Sequence, residues 1–459
     1  MSYLIAFLSV IPLFVLGDSI LSTLAPGRQR LLVERLALAL GFGSGFIALV
    51  IFYASLLDAR DGVLIAIAVS VFVIAMRLRG FRRWDKLPTC PTQRGILLSV
   101  VLGGLWLALL LAVAFSTHLG FDGVVIWGFK GKVAFIEGGW LPSFFTDAAW
   151  RVTHQDYPLL LPSLEAWVYT FLSQVDEQSV KVIFPLFYLG MLALFYSALR
   201  HAFSLLPSLF YTVLLGSVPY LASMAAVSGY ADVPMMFFTL GAVIFLRRWM
   251  LEGACSDLAI GAILSAGAVW AKREGIVYWL VSCVAVVWHI AQQKNQDAIE
   301  RTRLILHFTI PVALTIFPWF AFLIWYHIPN SDFASVSLGG FLTNLDRLPV
   351  IASRLLAQML AVGEWGILWV IFLAVSVWRW RRWLEPATVY VGMSVFLPLL
   401  MLSLSFVFSI WKPYTAHLDL ALDRLLLQPV PIAWYFIAIQ SEGLDQWLGQ
   451  MFAISRSDQ

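Results

Sequence analysis

Residues 96–115 read ILLSVVLGGLWLALLLAVAF, a run without a single charged side chain. An α-helix needs about 20 mostly apolar residues to cross the hydrocarbon layer, where only a helix or a closed barrel satisfies its own backbone. This run therefore predicts a membrane span. Comparable segments centre near residues 14, 45 and 70 before it and near 189, 213, 240, 264, 283, 316, 369, 399 and 435 after it. The expectation is an all-α polytopic transmembrane bundle of about 13 spans, with interfacial helices in the loops on one face.

Composition agrees. The chain of 459 residues is 61% hydrophobic and only 12% charged, with a mean hydropathy of +0.84, too little charge to clothe a water-soluble globule of this size. Many of the 20 Trp stand beside cations, as in Arg83-Trp84, Arg248-Trp249 and Trp378-Arg379-Trp380-Arg381-Arg382-Trp383, where an interfacial aromatic belt would want them. The net charge of +3 is scattered over short loops, so no basic surface exists for nucleic acid. Cys90, Cys255 and Cys283 form no even framework, and disulfides are not expected. The apolar stretch from Tyr3 to Leu16 lacks a basic flank and a small-residue cleavage site, and reads as a retained span.

The distribution of cations sets direction. With the loops after the odd-numbered spans and the C-terminal tail in the cytoplasm, about two thirds of the 30 Lys and Arg lie there. Arg77, Arg79, Arg82, Arg83, Lys86 and Arg94 form the densest cluster. The long loop from about 118 to 179 then falls on the outer face, together with polar stretches at 228–234, 271–275, 328–360 and 412–426. Loops held by a rigid bundle are where chemistry usually sits, which directs the search for a site to that face.

Phe121-Asp122-Gly123 opens the long loop, and Val125, Phe129, Val133 and Ile136 recur at helical spacing after it. Asp122 either caps this interfacial helix or stands at the bilayer surface as a general base. His154-Gln155-Asp156-Tyr157-Pro158 follows. Proline pushes Tyr157 toward extended backbone, so this stretch is either a turn or a presented set of polar side chains. Ser228-Gly229-Tyr230-Ala231-Asp232-Val233-Pro234 resembles a helix start, with Asp232 either a cap or a second surface carboxylate. Lys272-Arg273-Glu274-Gly275 places three charges between two apolar segments, which is costly unless they are paired or functional. In His417-Leu418-Asp419-Leu420-Ala421-Leu422-Asp423-Arg424, a helix puts His417, Ala421 and Arg424 on one face, and a guanidinium there suits a phosphate. No zinc-ligand spacing occurs; a divalent ion held by oxygens is left open.

In this order, Asp122 with Trp127 and Lys130, His154 to Pro158, Gly229 to Pro234, Lys272 to Gly275 and Arg424 resemble the GT-C membrane glycosyltransferases, over about residues 96–440. The likeness is to the bacterial branch related to protein O-mannosyltransferases and lipid A aminoarabinose transferases. It implies 1–95 as N-terminal spans with a basic loop, 96–440 as the catalytic module and 441–459 as a cytoplasmic tail. The implied activity is inverting transfer of a sugar from a polyprenyl-monophosphate donor to a hydroxyl of a glycan, lipid or protein acceptor. It would take place at the extracytoplasmic side of the plasma (inner) membrane. Asp122 matches the family's proposed base. His154, Asp156, Tyr157, Asp232, Lys130 and Glu274 would line the donor or acceptor pocket, and Lys272, Arg273, Arg424 and His417 would hold the lipid phosphate.

Two features depart from the family pattern: three spans precede the one leading to Asp122, and Gly123 stands where protein O-mannosyltransferases carry a glutamate. The acceptor class is accordingly open. A transporter or flippase of lipid-linked sugars would need charges deep in its helices, which the segments near 108, 213 and 399 lack. A polymerase or ligase using a diphosphate-linked donor would share the outer-face site.

Overall fold

The computed structural model describes residues 1–57, 61–79, 93–293, 297–330 and 332–441. The side chains of the basic cluster from Arg77 to Arg94, Cys90, and the tail beyond Ser441 lie outside the described residues. Among the described residues every regular element is a helix, and the single β-bridge pairs Phe333 with Ser409. Each of the thirteen expected segments is helical. Eight are long and apolar enough to cross a membrane: Ser2–Leu24, Leu32–Leu56, Ser179–Arg200, Asp232–Glu252, Gly275–Gln292, Ala298–Trp325, Pro386–Phe408 and Tyr414–Gln440. The other five are shorter apolar helices, Gly62–Met76, Val101–Ser116, Leu205–Gly216, Cys255–Ala271 and Leu368–Trp378. The protein is membrane-embedded.

Surface pattern shows why lipid is needed. On the first helix Leu4, Leu8 and Ile11 form an exposed row at helical spacing, while Ala6, Val10 and Leu13 are buried. Its buried face meets the Leu32–Leu56 helix at backbone distance, and glycine permits this. A Cβ on Gly17 would stand 1.8 Å from the Ala39 carbonyl oxygen, and one on Gly43 would stand 1.9 Å from that of Leu13. Small residues at such crossings are how apolar helices associate where no hydrophobic drive operates between them. The Trp167 indole then donates to the Ser9 carbonyl at 2.8 Å, joining this pair to the Leu160–Leu172 helix.

Charges sort the helix ends. Arg28 meets Glu252 at 2.9 Å and Asp257 at 2.7 Å, and Glu34 meets Arg30 at 2.6 Å and Arg248 at 3.3 Å. The loop after the first helix and the turn after Asp232–Glu252 thus share one end of the bundle, as the charge alternation requires. At the other ends of these helices the long 118–179 loop, the 271–275 turn, the 328–337 segment and the Tyr414–Leu427 helix come together. The expected last loop differs from the structure in one respect. Its helix runs almost directly into Val430–Gln440, so the polar face of residues 417–424 is the start of the final apolar segment.

Candidate active site at one end of the bundle

Two π-helical turns bring the carboxylates into place. Gly123–Gly128 follows Asp122, and Met224–Ser228 ends at Gly229. A π turn inserts an extra residue and re-aims the side chains around it, often at functional sites. Gly229 has φ +67°, a conformation in which any other side chain would be strained, and its lack of a Cβ lets this turn close on Leu119 in the segment before Asp122. The helix after Asp122 buries Ile126, Trp127, Lys130 and Ala134 against the protein and leaves Ile136 exposed. The expected row of Val125, Phe129, Val133 and Ile136 is the less buried face.

Capping explains neither carboxylate. Asp122 makes no cap bond; its carboxylate accepts from the Arg424 guanidinium, which also lies 5.2 Å from the Tyr230 ring centre. Asp232 is fully buried and accepts from Lys272 Nζ at 2.8 Å, and the same ammonium is 3.0 Å from Glu274. Burial alone would lower the pKa of Lys272, but Asp232 and Glu274 outweigh it and the net direction is up. Lys272 is therefore a charged amine.

A second cluster surrounds Tyr157. Its ring is 5.5 Å from that of Trp127, 4.6 Å from His154 and 4.6 Å from the Arg273 guanidinium carbon. Arg273 donates to Asp156. His154 is held in left-handed backbone at φ 50°, uncommon for a non-glycine residue. Its carbonyl accepts from Lys130 Nζ at 2.9 Å. Lys130 is wholly buried, and desolvation pushes its pKa down to about 7. Behind it Glu165 is also fully buried, with neither carboxylate oxygen hydrogen-bonded. Burial drives its pKa well above the usual range, the signature of a neutral acid.

Asp332 joins the two halves of the site, and sequence reasoning did not single it out. It accepts from the Tyr157 hydroxyl and the Trp411 indole, both at 3.3 Å, and lies 3.3 Å from His154 Nδ1 and 4.0 Å from Arg273. Burial acts to raise its pKa, but His154 and Trp411 prevail and hold it at about 2. His417, stacked 4.8 Å from Trp411, bonds Ser409 through Nδ1 at 2.9 Å.

These side chains enclose a cavity of about 380 Å³. Of the residues predicted from sequence, Asp122, Tyr157, Lys272, Arg273, Glu274, His417 and Arg424 line it, with His417, Ala421 and Arg424 on one helix face as expected. Asp232, Asp156, His154 and Lys130 stand behind that lining as partners of lining groups or their neighbours. Apolar side chains also line it, among them Val277, Phe320, Leu402 and Leu425. Three cations and three carboxylates face the space: Lys272, Arg273 and Arg424 against Asp122, Glu274 and Asp332. Among the described residues no group of three or more His, Cys, Asp or Glu is disposed to hold a metal ion. Comparison with protein-family models, with curated proteins and with solved structures gives no match.

Proposed function

We propose that the chain is an inverting glycosyltransferase that moves a sugar from a polyprenyl-monophosphate donor to an acceptor hydroxyl at the extracytoplasmic membrane face. The observation that carries this reading is a carboxylate and a guanidinium, Asp122 and Arg424, in one cavity that also holds Lys272 and is lined in part by apolar side chains. Such a space suits an amphiphile with a phosphate head: cations for the phosphate, apolar side chains for the first prenyl units, and aromatic faces at Trp127 and Tyr157 for a sugar ring.

In the proposed step Asp122 takes the proton of the acceptor hydroxyl as its oxygen bonds the anomeric carbon. The bond from that carbon to the phosphate oxygen breaks, and polyprenyl phosphate leaves with the electron pair. Lys272 and Arg424 offset the charge that develops on it, so no general acid is required. Attack opposite the leaving group inverts the anomeric centre. Arg424 must exchange Asp122 for phosphate, and the same exchange frees the base.

The test is sugar transfer from radiolabelled polyprenyl-monophosphate donors by purified protein in lipid vesicles. Asp122→Asn should abolish transfer while donor binding persists. Transfer at wild-type rate in that variant would sink the assignment of the base.

A further inference from the structure

A second and larger cavity, about 690 Å³, opens at the other end of the bundle. It lies among the last turns of Asp232–Glu252 and Gly275–Gln292 and the first turn of Pro386–Ser405. The far ends of these same three helices reach the first cavity. At 1.5 Å per residue, lining positions on shared helices, Val277 with His289 and Thr388 with Leu402, stand roughly 20 Å apart, so the two spaces are separate. The Asp122 cluster and its chemistry do not extend here.

Among the described residues Arg247, the one Lys or Arg in this cavity's lining, has no carboxylate partner of its own. Arg247 and Arg248 are adjacent but point into different settings: Arg248 is consumed by Glu34 at 3.3 Å, whereas Arg247 pairs with no carboxylate among the described residues. Its only hydrogen-bond partner there is the Tyr435 hydroxyl at 3.4 Å, and its Nε is buried without any. The one acid in the lining, Glu385, is engaged by Arg382 at 3.5 Å and by the Thr388 hydroxyl at 3.0 Å. His289 and Gln292 add polar side chains. When Gln293 donates to His289 Nε2, 3.1 Å away, the imidazole keeps its proton on Nδ1 as a further donor.

Position adds the second half of the argument. The rim is apolar, with Met250, Leu251 and Pro386, and Leu251 is 59% exposed. Trp378 and Trp380, both exposed and stacked with Arg379 and Arg381, follow a few residues earlier in the chain. Trp and Arg in that arrangement mark headgroup depth.

We propose that this cavity binds a phosphate-bearing anion, with Arg247 supplying the charge and His289 and Gln292 the neighbouring hydrogen bonds. The phosphate belongs either to an anionic phospholipid of the adjoining leaflet or to a free phosphate species, and the apolar rim accommodates acyl chains in the first case.

The proposal is independent of the reading of the Asp122 site and needs no enzyme assay. Full-length protein in neutral detergent is titrated with phosphatidylglycerol, phosphatidylcholine and inorganic pyrophosphate, with thermal shift and native mass spectrometry as readouts. Wild type should bind phosphatidylglycerol in preference to phosphatidylcholine, and Arg247→Gln should weaken that binding about tenfold or more. Arg381→Gln, an equal loss of charge outside the cavity, should leave it intact. Competition by pyrophosphate assigns the site to phosphate in general; saturation unaffected by pyrophosphate assigns it to the lipid. Equal binding by wild type and Arg247→Gln, or an equal loss in Arg381→Gln, would overturn the proposal. If Arg247→Gln yields no monodisperse protein, Arg247→Met, of similar reach but uncharged, takes its place, and unchanged affinity in that variant would also overturn it.

Discussion

Asp122 and Arg424, 302 positions apart in sequence, meet as a charge-assisted hydrogen bond in the lining of the first cavity. The pairing links the end of one apolar segment to the start of the last, so the whole helical scaffold between them fixes one contact. It also makes the site self-neutralising when no substrate is bound. A phosphate entering the cavity competes with Asp122 for Arg424, which ties the availability of the proposed base to the presence of the proposed leaving group.

Asp232 and Lys272 should behave as a coupled pair. Removing one partner of a buried ion pair typically costs about 3–5 kcal/mol, because the other charge is left unpaired. Lys272→Met should therefore lower thermal stability sharply, and adding Asp232→Asn should restore much of it without restoring transfer. Additive losses in the double-mutant cycle would show that the two side chains are not coupled.

Glu165 should be a burden on stability that grows with pH. Its folded pKa is raised above the unfolded value, so the stability it allows is full below about pH 4.5 and is lost as pH rises toward the folded pKa. Lys130 begins to lose its proton only near pH 7, which leaves the interval from about pH 5 to 7 to Glu165. Glu165→Gln should thus gain in melting temperature relative to wild type across that interval. A constant difference between the two proteins would contradict the neutral-acid assignment.

Gly43 should tolerate no side chain. Gly43→Ala drives a methyl into the Leu13 carbonyl, and overpacking of this kind costs about 1–3 kcal/mol or more. Circular-dichroism melts in detergent should show a lower transition for this variant, whereas Gly45→Ala, which meets nothing within 4 Å, should match wild type.

The helices were legible because hydropathy reports them directly: all thirteen expected centres fall on apolar helices. Length alone was less informative, since segments such as Leu205–Gly216 and Leu368–Trp378 stop at 12 and 11 residues in the fold. Polar residues at the ends of apolar runs pointed to most of the site, because charges beside hydrocarbon are costly without a purpose. What the pattern could not supply was the partner of each. Nothing near Asp122 in sequence names Arg424, and the capping explanation of Asp122 and Asp232 was ruled out only by where their side chains lead. Asp332 was missed for a related reason. It sits alone in a polar linker with no motif, and its importance comes from Tyr157, His154, Trp411 and Arg273 arriving from three other segments.

Asp332 should matter through the negative charge that holds His154 and Arg273 in place. Asp332→Asn keeps an acceptor for Tyr157 and Trp411 but withdraws the negative charge beside His154 and Arg273. Transfer should fall about 10-fold or more in a protein that still folds, and stability should lose part of its decline between about pH 4 and 2, where the unfolded carboxylate is protonated and the native one is still ionised. Wild-type transfer by this variant would remove Asp332 from the site.

The central claim is that the cavity between Asp122, Lys272 and Arg424 receives the phosphate of a prenyl-linked sugar. A density map of the protein in lipid nanodiscs with a polyprenyl-monophosphate sugar tests it most directly. The account predicts phosphate density within hydrogen-bond reach of Lys272 and Arg424, the Arg424 guanidinium turned away from Asp122, and the sugar ring beside Trp127 and Tyr157. A headgroup resolved elsewhere, with Arg424 still on Asp122, would contradict it.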